Sequence, residues 1–553
     1  MAGRRALRLG FSVLLIASVA AGAGEAPATG TGATDSDVGP LFATADRCIA
    51  CHDGLTTPHG VEVSFGSTWR SSMMANAARD PYWQAAVRRE VLDHPESAAA
   101  IENECSACHM PMARFEAKAS GRLQGVFAHL PVTSAAGRTD RLAADGVSCS
   151  LCHQIGPEAL GTDESFTAGF VVDTATAWGE RSIFGPFEVD PGRAAVMRSA
   201  AEFHPRRAEH VQTSELCATC HTLSTHTLGE GGRHLGSLPE QMPYLEWRHS
   251  AYRGERSCQS CHMPTVDGET PVSAVLGVPR HQVSRHVFRG GNFFLPRLLD
   301  RYRDDLGVEA SPDELAAAAA RTVEHLQAAA ARVHLEEVRW LPEGIEIAVV
   351  VENLAGHKLP TAYPSRRAWL HLVLTDAAGR TVFESGAFSR DGSIEGNDND
   401  GDAASWEPHY ERIRTADEVQ IYEAILLDVD GEVTTGLLSG LDYGKDNRLL
   451  PRGFDPRSAP REIAIHGRAT SDDGFAPGSH QVLYSPHLGT FTAPLRIDVE
   501  LWYQPIGYRW AENLASYEAA ETARFVAYYR ALAADSAIVL ARDSMAVESR
   551  GAD

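Results

Sequence analysis

Ten cysteines and five histidines fall into five copies of one short pattern. They are Cys48-Ile49-Ala50-Cys51-His52, Cys105-Ser106-Ala107-Cys108-His109, Cys149-Ser150-Leu151-Cys152-His153, Cys217-Ala218-Thr219-Cys220-His221 and Cys258-Gln259-Ser260-Cys261-His262. The 553-residue chain has no other cysteine, and every pair runs directly into histidine. C-x-x-C-H is the attachment sequence of a c-type haem. Two thiols at this spacing can each add to one porphyrin vinyl group, and the adjacent imidazole then projects at the iron. Other uses of cysteine account for less. A redox dithiol asks for no histidine, and a zinc site would pair two C-x-x-C units and leave the fifth over. A disulfide framework does not need a histidine after each pair. The pattern therefore predicts five covalently bound c-type haems, with His52, His109, His153, His221 and His262 as proximal iron ligands.

The sixth ligands come from elsewhere in the fold, so spacing does not reveal them. Outside the motifs, the same region holds His59, His94, His129, His204, His210, His226, His234, His249, His281 and His286. In a region with five irons each is a candidate. The preferred distal set is His94, His129, His210, His249 and His286, with His204 and His281 in reserve. His286 follows the last motif in an apolar context, and His249 precedes the fifth on an expected helix. Met73 and Met74 are candidate thioether ligands that would raise a haem's potential, although core packing is the simpler use. Met110 and Met263 directly follow proximal histidines and should pack beside them.

Two features lie outside this region. In Gly356-His357-Lys358-Leu359-Pro360-Thr361 the imidazole could cap a haem from a second domain, or the segment could be turn chemistry alone. Around Asn397 to Asp402, a calcium-loop register with Gly401 sixth puts Asp398, Asp400 and Glu407 at ligand positions. Gly396 then replaces the first aspartate, and a solvated acidic loop is the simpler expectation.

The elements that position these groups read as a multi-domain chain. Arg4, Arg5 and Arg8 before an apolar run from Phe11 to Ala21 predict a signal peptide over 1–23. The apolar run is short for a membrane span, and no later segment is apolar enough to provide one. A Gly-, Ala- and Thr-rich lead over 24–43 is expected to be disordered. Residues 44–300 form the pentahaem region, mostly helical and irregular because cofactors supply much of its core. A helical connector over 301–335 starts at the Ser311 N-cap with Pro312. Alternation at Ile345, Ile347, Val349 and Val351, at Leu370, Leu372 and Leu374, and at Leu495, Ile497, Val499 and Leu501 predicts strands. These imply an all-β sandwich-like domain over 336–510. A C-terminal helix is expected within 511–553, near Leu514 to Met545.

The repeated motifs, Cys-His-Met-Pro at Cys108 to Pro111 and at Cys261 to Pro264, Trp69 to Met74, and Tyr244-Leu245-Glu246-Trp247 resemble the multihaem cytochrome c-552/4 family. That family is a relative of the tetrahaem carrier serving hydroxylamine oxidation. The resemblance covers roughly Ala45 to Asp300. It implies mostly bis-histidine, low-potential haems in close-packed pairs and a role in electron transfer. Five motifs and an appended β-rich half depart from the family pattern. Pentahaem nitrite reductases match by count, but their catalytic motif usually ends in lysine, and all five here end in histidine.

A formal charge of −23 argues against nucleic acid or an anionic membrane as partner and suits a basic patch on another redox protein. Three readings stay open. The first is an exported electron carrier, periplasmic or at the cell surface, serving a redox partner. The second is an oxidoreductase with one open haem acting on a small nitrogen or sulfur compound. The third is a surface or filament-forming cytochrome that docks or self-associates through its β domain.

Overall fold

The computed structural model describes residues 40–132 and 137–548, all within one unit, Val38–Asp553. The expected signal peptide and most of the lead lie outside the described residues. Each motif rides on a short helix: Asp46–His52, Ala98–His109, Cys149–Cys152, Ser214–Ala218 and Cys258–His262. The segments between them are loops, short helices and two-stranded ribbons such as Leu223–Gly229 with Arg233–Gln241. The helix Pro81–Asp93 is started by Asp80, whose carboxylate accepts from Tyr82 N and Trp83 N (2.9 and 3.2 Å) ahead of a proline at the first turn. Ser311 and Glu314 form a capping box on Pro312–Ala329. No helix of the described residues is long and apolar enough to cross a membrane.

Ten strands then build two sheets. In chain order they are β1 (Ala331–Leu341), β2 (Gly344–Asn353), β3 (Arg367–Thr375), β4 (Thr381–Ser385), β5 (Arg412–Ile413), β6 (Ile421–Tyr422), β7 (Phe475–Ala476), β8 (Ser479–Tyr484), β9 (Leu495–Gln504) and β10 (Ile538–Val547). One sheet has the order β4-β3-β9-β10 with β6 on β3, and the other β5-β8-β2-β1 with β7 on β8. Register places Leu370, Leu372 and Leu374 opposite Leu501, Val499 and Ile497. All six are fully buried, as are Ile345, Ile347, Val349 and Val351 of β2. Each such side chain contributes roughly 1.5–3 kcal/mol through burial.

Two expectations are corrected. The C-terminal helix is shorter, Ala520–Leu532, and Ile538–Val547 is a strand antiparallel to β9. The chain breaks at Ser536, whose hydroxyl accepts from the buried Gln504 amide (2.8 Å), and β10 then closes one side of the sandwich, with Asp543 accepting from Leu335 N (2.9 Å). The sandwich therefore runs from Ala331 to Val547, beyond 336–510 at both ends. One hydrophobic cluster also continues from Tyr82 through Phe293, Phe294, Leu298 and Leu299 to Val349, Val499 and Phe525. The C-terminal helix docks on Pro81–Asp93 through Tyr82 and Phe525 (ring centroids 5.0 Å) and through Arg88 and Glu521 (2.9 Å).

The Asn397–Asp402 loop matches neither expectation made for it. Asp398 is exposed, but Asp400 is buried and pairs bidentately with Arg367 (2.8 and 2.9 Å). Glu407 accepts from Asp398 N and Val419 N (3.3 and 3.2 Å). The Asp400 and Glu407 carboxylates are thus taken by protein donors, while Asp398 stays at the surface. Asp400→Ala should destabilise the protein by about 3–5 kcal/mol, because it strands the buried Arg367 charge. Calcium should leave the melting temperature of the wild type unchanged, since an ion with no site on the native state cannot stabilise it. Thermal unfolding with and without the ion checks both.

Candidate haem-binding cavity

The five motifs converge on one cavity of about 1370 Å³, whose wall includes all ten cysteines and all five motif histidines. That exceeds the roughly 300–1,000 Å³ of an ordinary ligand pocket. The ten thiols are free and half-buried, and no disulfide joins them. Burial pushes Cys152 up to about 12, whereas the Cys217 thiol beside it lowers Cys258 to about 7; either shift disappears once sulfur is bonded as a thioether.

Thiols of different motifs face one another: Cys48 with Cys149, Cys108 with Cys220, and Cys217 with Cys258. Cys152 lies within electrostatic reach of Cys217 and Cys220. The attachment points thus form a connected series, first to third to fourth, with the second and fifth both adjoining the fourth.

The motif histidines are already oriented. His52 Nδ1 donates to Val272 O (2.5 Å), His109 to Ala77 O (2.9 Å), His153 to Phe184 O (2.6 Å) and His262 to Arg289 O (2.6 Å). A proton fixed on Nδ1 leaves Nε2 bare, as an iron-bound imidazole requires. Burial lowers His109 and His262 to about 4, so both are neutral at pH 7. His221 has no such carbonyl partner among the described residues.

Three further histidines line the cavity: His286, His325 and His357. His286 faces His153 with ring centroids 6.2 Å apart and planes 18° apart. His357 faces His262 at 6.3 Å and 12°. With metal–imidazole bonds of about 2.0 Å, two rings across one metal stand roughly 6 Å apart. The residues present therefore fit covalently held haems, with two opposed imidazole pairs already in place.

The other expected distal residues stand elsewhere. His129 is engaged at both nitrogens, by Asp140 (2.5 Å) and Gln124 (2.5 Å). His210 Nε2 bonds Ile155 O (2.8 Å), and His249 Nδ1 bonds Leu245 O (2.9 Å). None of these three is in the cavity wall. His94 is outside it too, although its Nε2 is buried without a partner. His204 pairs with Glu180 (3.0 Å), and His281 pairs with Glu269 at the surface (2.8 Å). Met73, Met74 and Met263 line the cavity, while Met110 is packed in the core.

Sequence reasoning missed His325 because it lies beyond the motif region, on Pro312–Ala329. The signal was available. His325 follows Ala318 by seven residues and Thr322 by three, on the helix face that turns inward.

Glu240 also lines the cavity, near Cys105 and Cys108. Burial raises its carboxyl to about 7, against hydrogen bonds from Thr225 and Gln241. The native state therefore binds a proton that the unfolded chain has lost, so stability is greatest below the ordinary carboxylate range and falls as pH rises toward 7. Glu240→Gln mimics the protonated form. It should leave stability at pH 4 nearly unchanged and raise it at pH 8 by about 3 kcal/mol, read from denaturant unfolding at both values.

His409, Asp472 and His480 form a buried cluster in the β region. Asp472 Oδ2 accepts from His409 Nε2 (2.8 Å) and His480 Nε2 (2.9 Å). Gln420 and Asn447 amide nitrogens both point at His409 Nδ1 (3.1 Å each), and their oxygens are fixed by Tyr410 N and Glu423 N. His409 Nδ1 is therefore an acceptor and its Nε2 carries the proton, which leaves no lone pair there for a metal. The cluster is a satisfied hydrogen-bond network.

No family model matches the sequence, and no curated protein does. Among solved structures, the fold is similar to a penta-heme cytochrome c552 from Thermochromatium tepidum, at 15% identity and a TM-score of 0.49, over 91% of this chain and 99% of that one.

Proposed function

We propose that the chain is an exported pentahaem c-type cytochrome that passes electrons through closely spaced haems to or from a redox partner protein. One observation carries the reading. Five C-x-x-C-H units, spread from Cys48 to His262, open all their thiols and imidazoles into a single cavity. When bound, haem supplies reversible one-electron chemistry. The chain's own residues tether, orient and insulate. Cysteines fix each porphyrin edge, backbone carbonyls hold four proximal imidazoles in one tautomer, and an apolar wall that includes Trp69, Trp83, Val87 and Phe288 keeps water away. The acidic surface suits a basic partner, and transfer to one should slow as ionic strength rises. Reductive titration of the purified protein tests the reading. Uptake of five electron equivalents supports it, and uptake of fewer counts against it.

A second reading, an oxidoreductase open at one haem, draws on the motif histidines that, within the described residues, face no second imidazole, His221 among them. Its ring opens into the cavity, and no imidazole is in ring contact with it among the described residues; Arg366 is the charged side chain acting on it. A small anionic nitrogen or sulfur compound would suit such a face. A stoichiometric high-spin resonance signal that shifts on adding nitrite would favour this reading over the carrier.

A further inference from the structure

We infer that the fifth haem is gripped from two regions of the chain, by His262 of its own motif and by His357 on the turn that leaves β2. The inference rests on the pentahaem reading and names the iron ligand that the motif does not supply. His262 and His357 stand 6.3 Å apart with ring planes 12° apart. Each donates from Nδ1 to a backbone carbonyl, His262 to Arg289 O (2.6 Å) and His357 to Lys358 O (2.9 Å). Both Nε2 atoms are therefore bare. Both rings line the same cavity.

The turn that presents His357 is locked by buried charge. Glu246, from the helix Pro243–Arg248 just before the fifth motif, accepts from Lys358 N (3.1 Å) and from the Thr361 hydroxyl. Its other oxygen meets Arg448 (3.2 Å). Lys358 Nζ donates to Asp446 (2.7 Å) and Ala464 O (3.0 Å), and Arg448 donates to Asp446 twice (2.9 and 2.7 Å). Asn353 holds the His357 carbonyl (2.9 Å). At Gly356 a Cβ would lie 3.3 Å from Trp247, so this turn is pressed onto the segment that leads into the fifth motif.

Two cations and two anions, all buried, balance to zero. Burying such a set is costly, and it earns stability only with near-ideal geometry. A turn that must hold one imidazole at a fixed distance from an iron accounts for that outlay. The haem thereby becomes a staple between the motif region and the sandwich. Glu246 is a positioning residue, and His357 is the ligand.

His325 is the rival. Its ring is 6.1 Å from His262 but turned by 74°, and among the described residues it lacks the Nδ1–carbonyl bond that fixes His357.

The test uses haem-loaded full-length protein, with haem content and low-spin resonance signals recorded for each variant. His357→Met should keep all five haems, lose one histidine–histidine low-spin signal and raise one reduction potential. His357→Gly should convert one haem to high spin, and added imidazole should restore it. His325→Ala should leave every signal in place. Glu246→Gln should keep five low-spin haems and shift the potential of that one haem alone. Wild-type spectra in both His357 variants, or the loss of a signal in His325→Ala, would overturn the assignment. An unshifted potential in Glu246→Gln would overturn the positioning role. Wild-type protein without thioether-bound haem would overturn the pentahaem reading itself, and this assignment with it.

Discussion

Expressed without haem attachment, the chain is expected not to hold its native fold. The cavity measures about 1370 Å³. Without haem its apolar lining loses the atoms that pack it, at roughly 24 cal/mol per Å³ wherever the space stays dry. Domains are stable by only about 5–15 kcal/mol, so about 200–600 Å³ of dry space is enough to exhaust that reserve. Half-buried thiols and the imidazoles of the wall would add to the cost. The sandwich offers no refuge, because one hydrophobic cluster joins its strands to Tyr82 and Phe294. Protein made in a host unable to attach haem should lack near-ultraviolet circular dichroism and show no cooperative melting transition. A sharp transition in the haem-free chain would mean that the motif region packs by itself.

Loss of the fourth haem should damage electron passage far more than loss of the first. Cys217 faces Cys258, Cys220 faces Cys108, and Cys152 lies near both. The fourth motif is thus the junction through which the second and fifth reach the third and first. Replacing Cys48 and Cys51 with alanine removes a haem at the end of the series and should leave four that reduce together. Replacing Cys217 and Cys220 removes the same mass but should split the remaining four into separate groups. Stopped-flow reduction distinguishes the two, since a single fast phase is expected for the first variant and additional slow phases for the second. Equal kinetics in the two would exclude the branched arrangement.

What could be read from sequence follows the range of the chemistry. The attachment motif is local, confined to five residues, so its five copies are legible in the spacing alone. Distal ligands are not local. Of the three further histidines in the cavity wall, His286 and His357 were candidates from the sequence, whereas His325 comes from a helix that reads as simple alanine-rich packing. A histidine near a motif in sequence has other ways to be satisfied. His129 uses Asp140 and Gln124, and His210 uses Ile155 O through Nε2.

The sandwich was legible where alternation was long, at Ile345 to Val351 and at Leu495 to Leu501. Its last strand was not. Ile538 to Val547 carries Arg542 and Asp543 in mid-strand and follows an alanine-rich helix, so the helical period seemed to continue. What defines that strand is its pairing with β9, which no local pattern encodes. The acidic loop was misread for a related reason. Asp400 looks like a solvated carboxylate until Arg367, 33 residues earlier in the chain, covers it.

The central claim, that five haems share one protein interior, is tested most directly by the intact mass of the purified mature protein together with its thiol content. The account predicts a mass increment of five haems, a haemochrome spectrum of the thioether-linked type and no thiol titratable after denaturation. An increment of fewer haems, with free cysteines remaining in the same proportion, would contradict it.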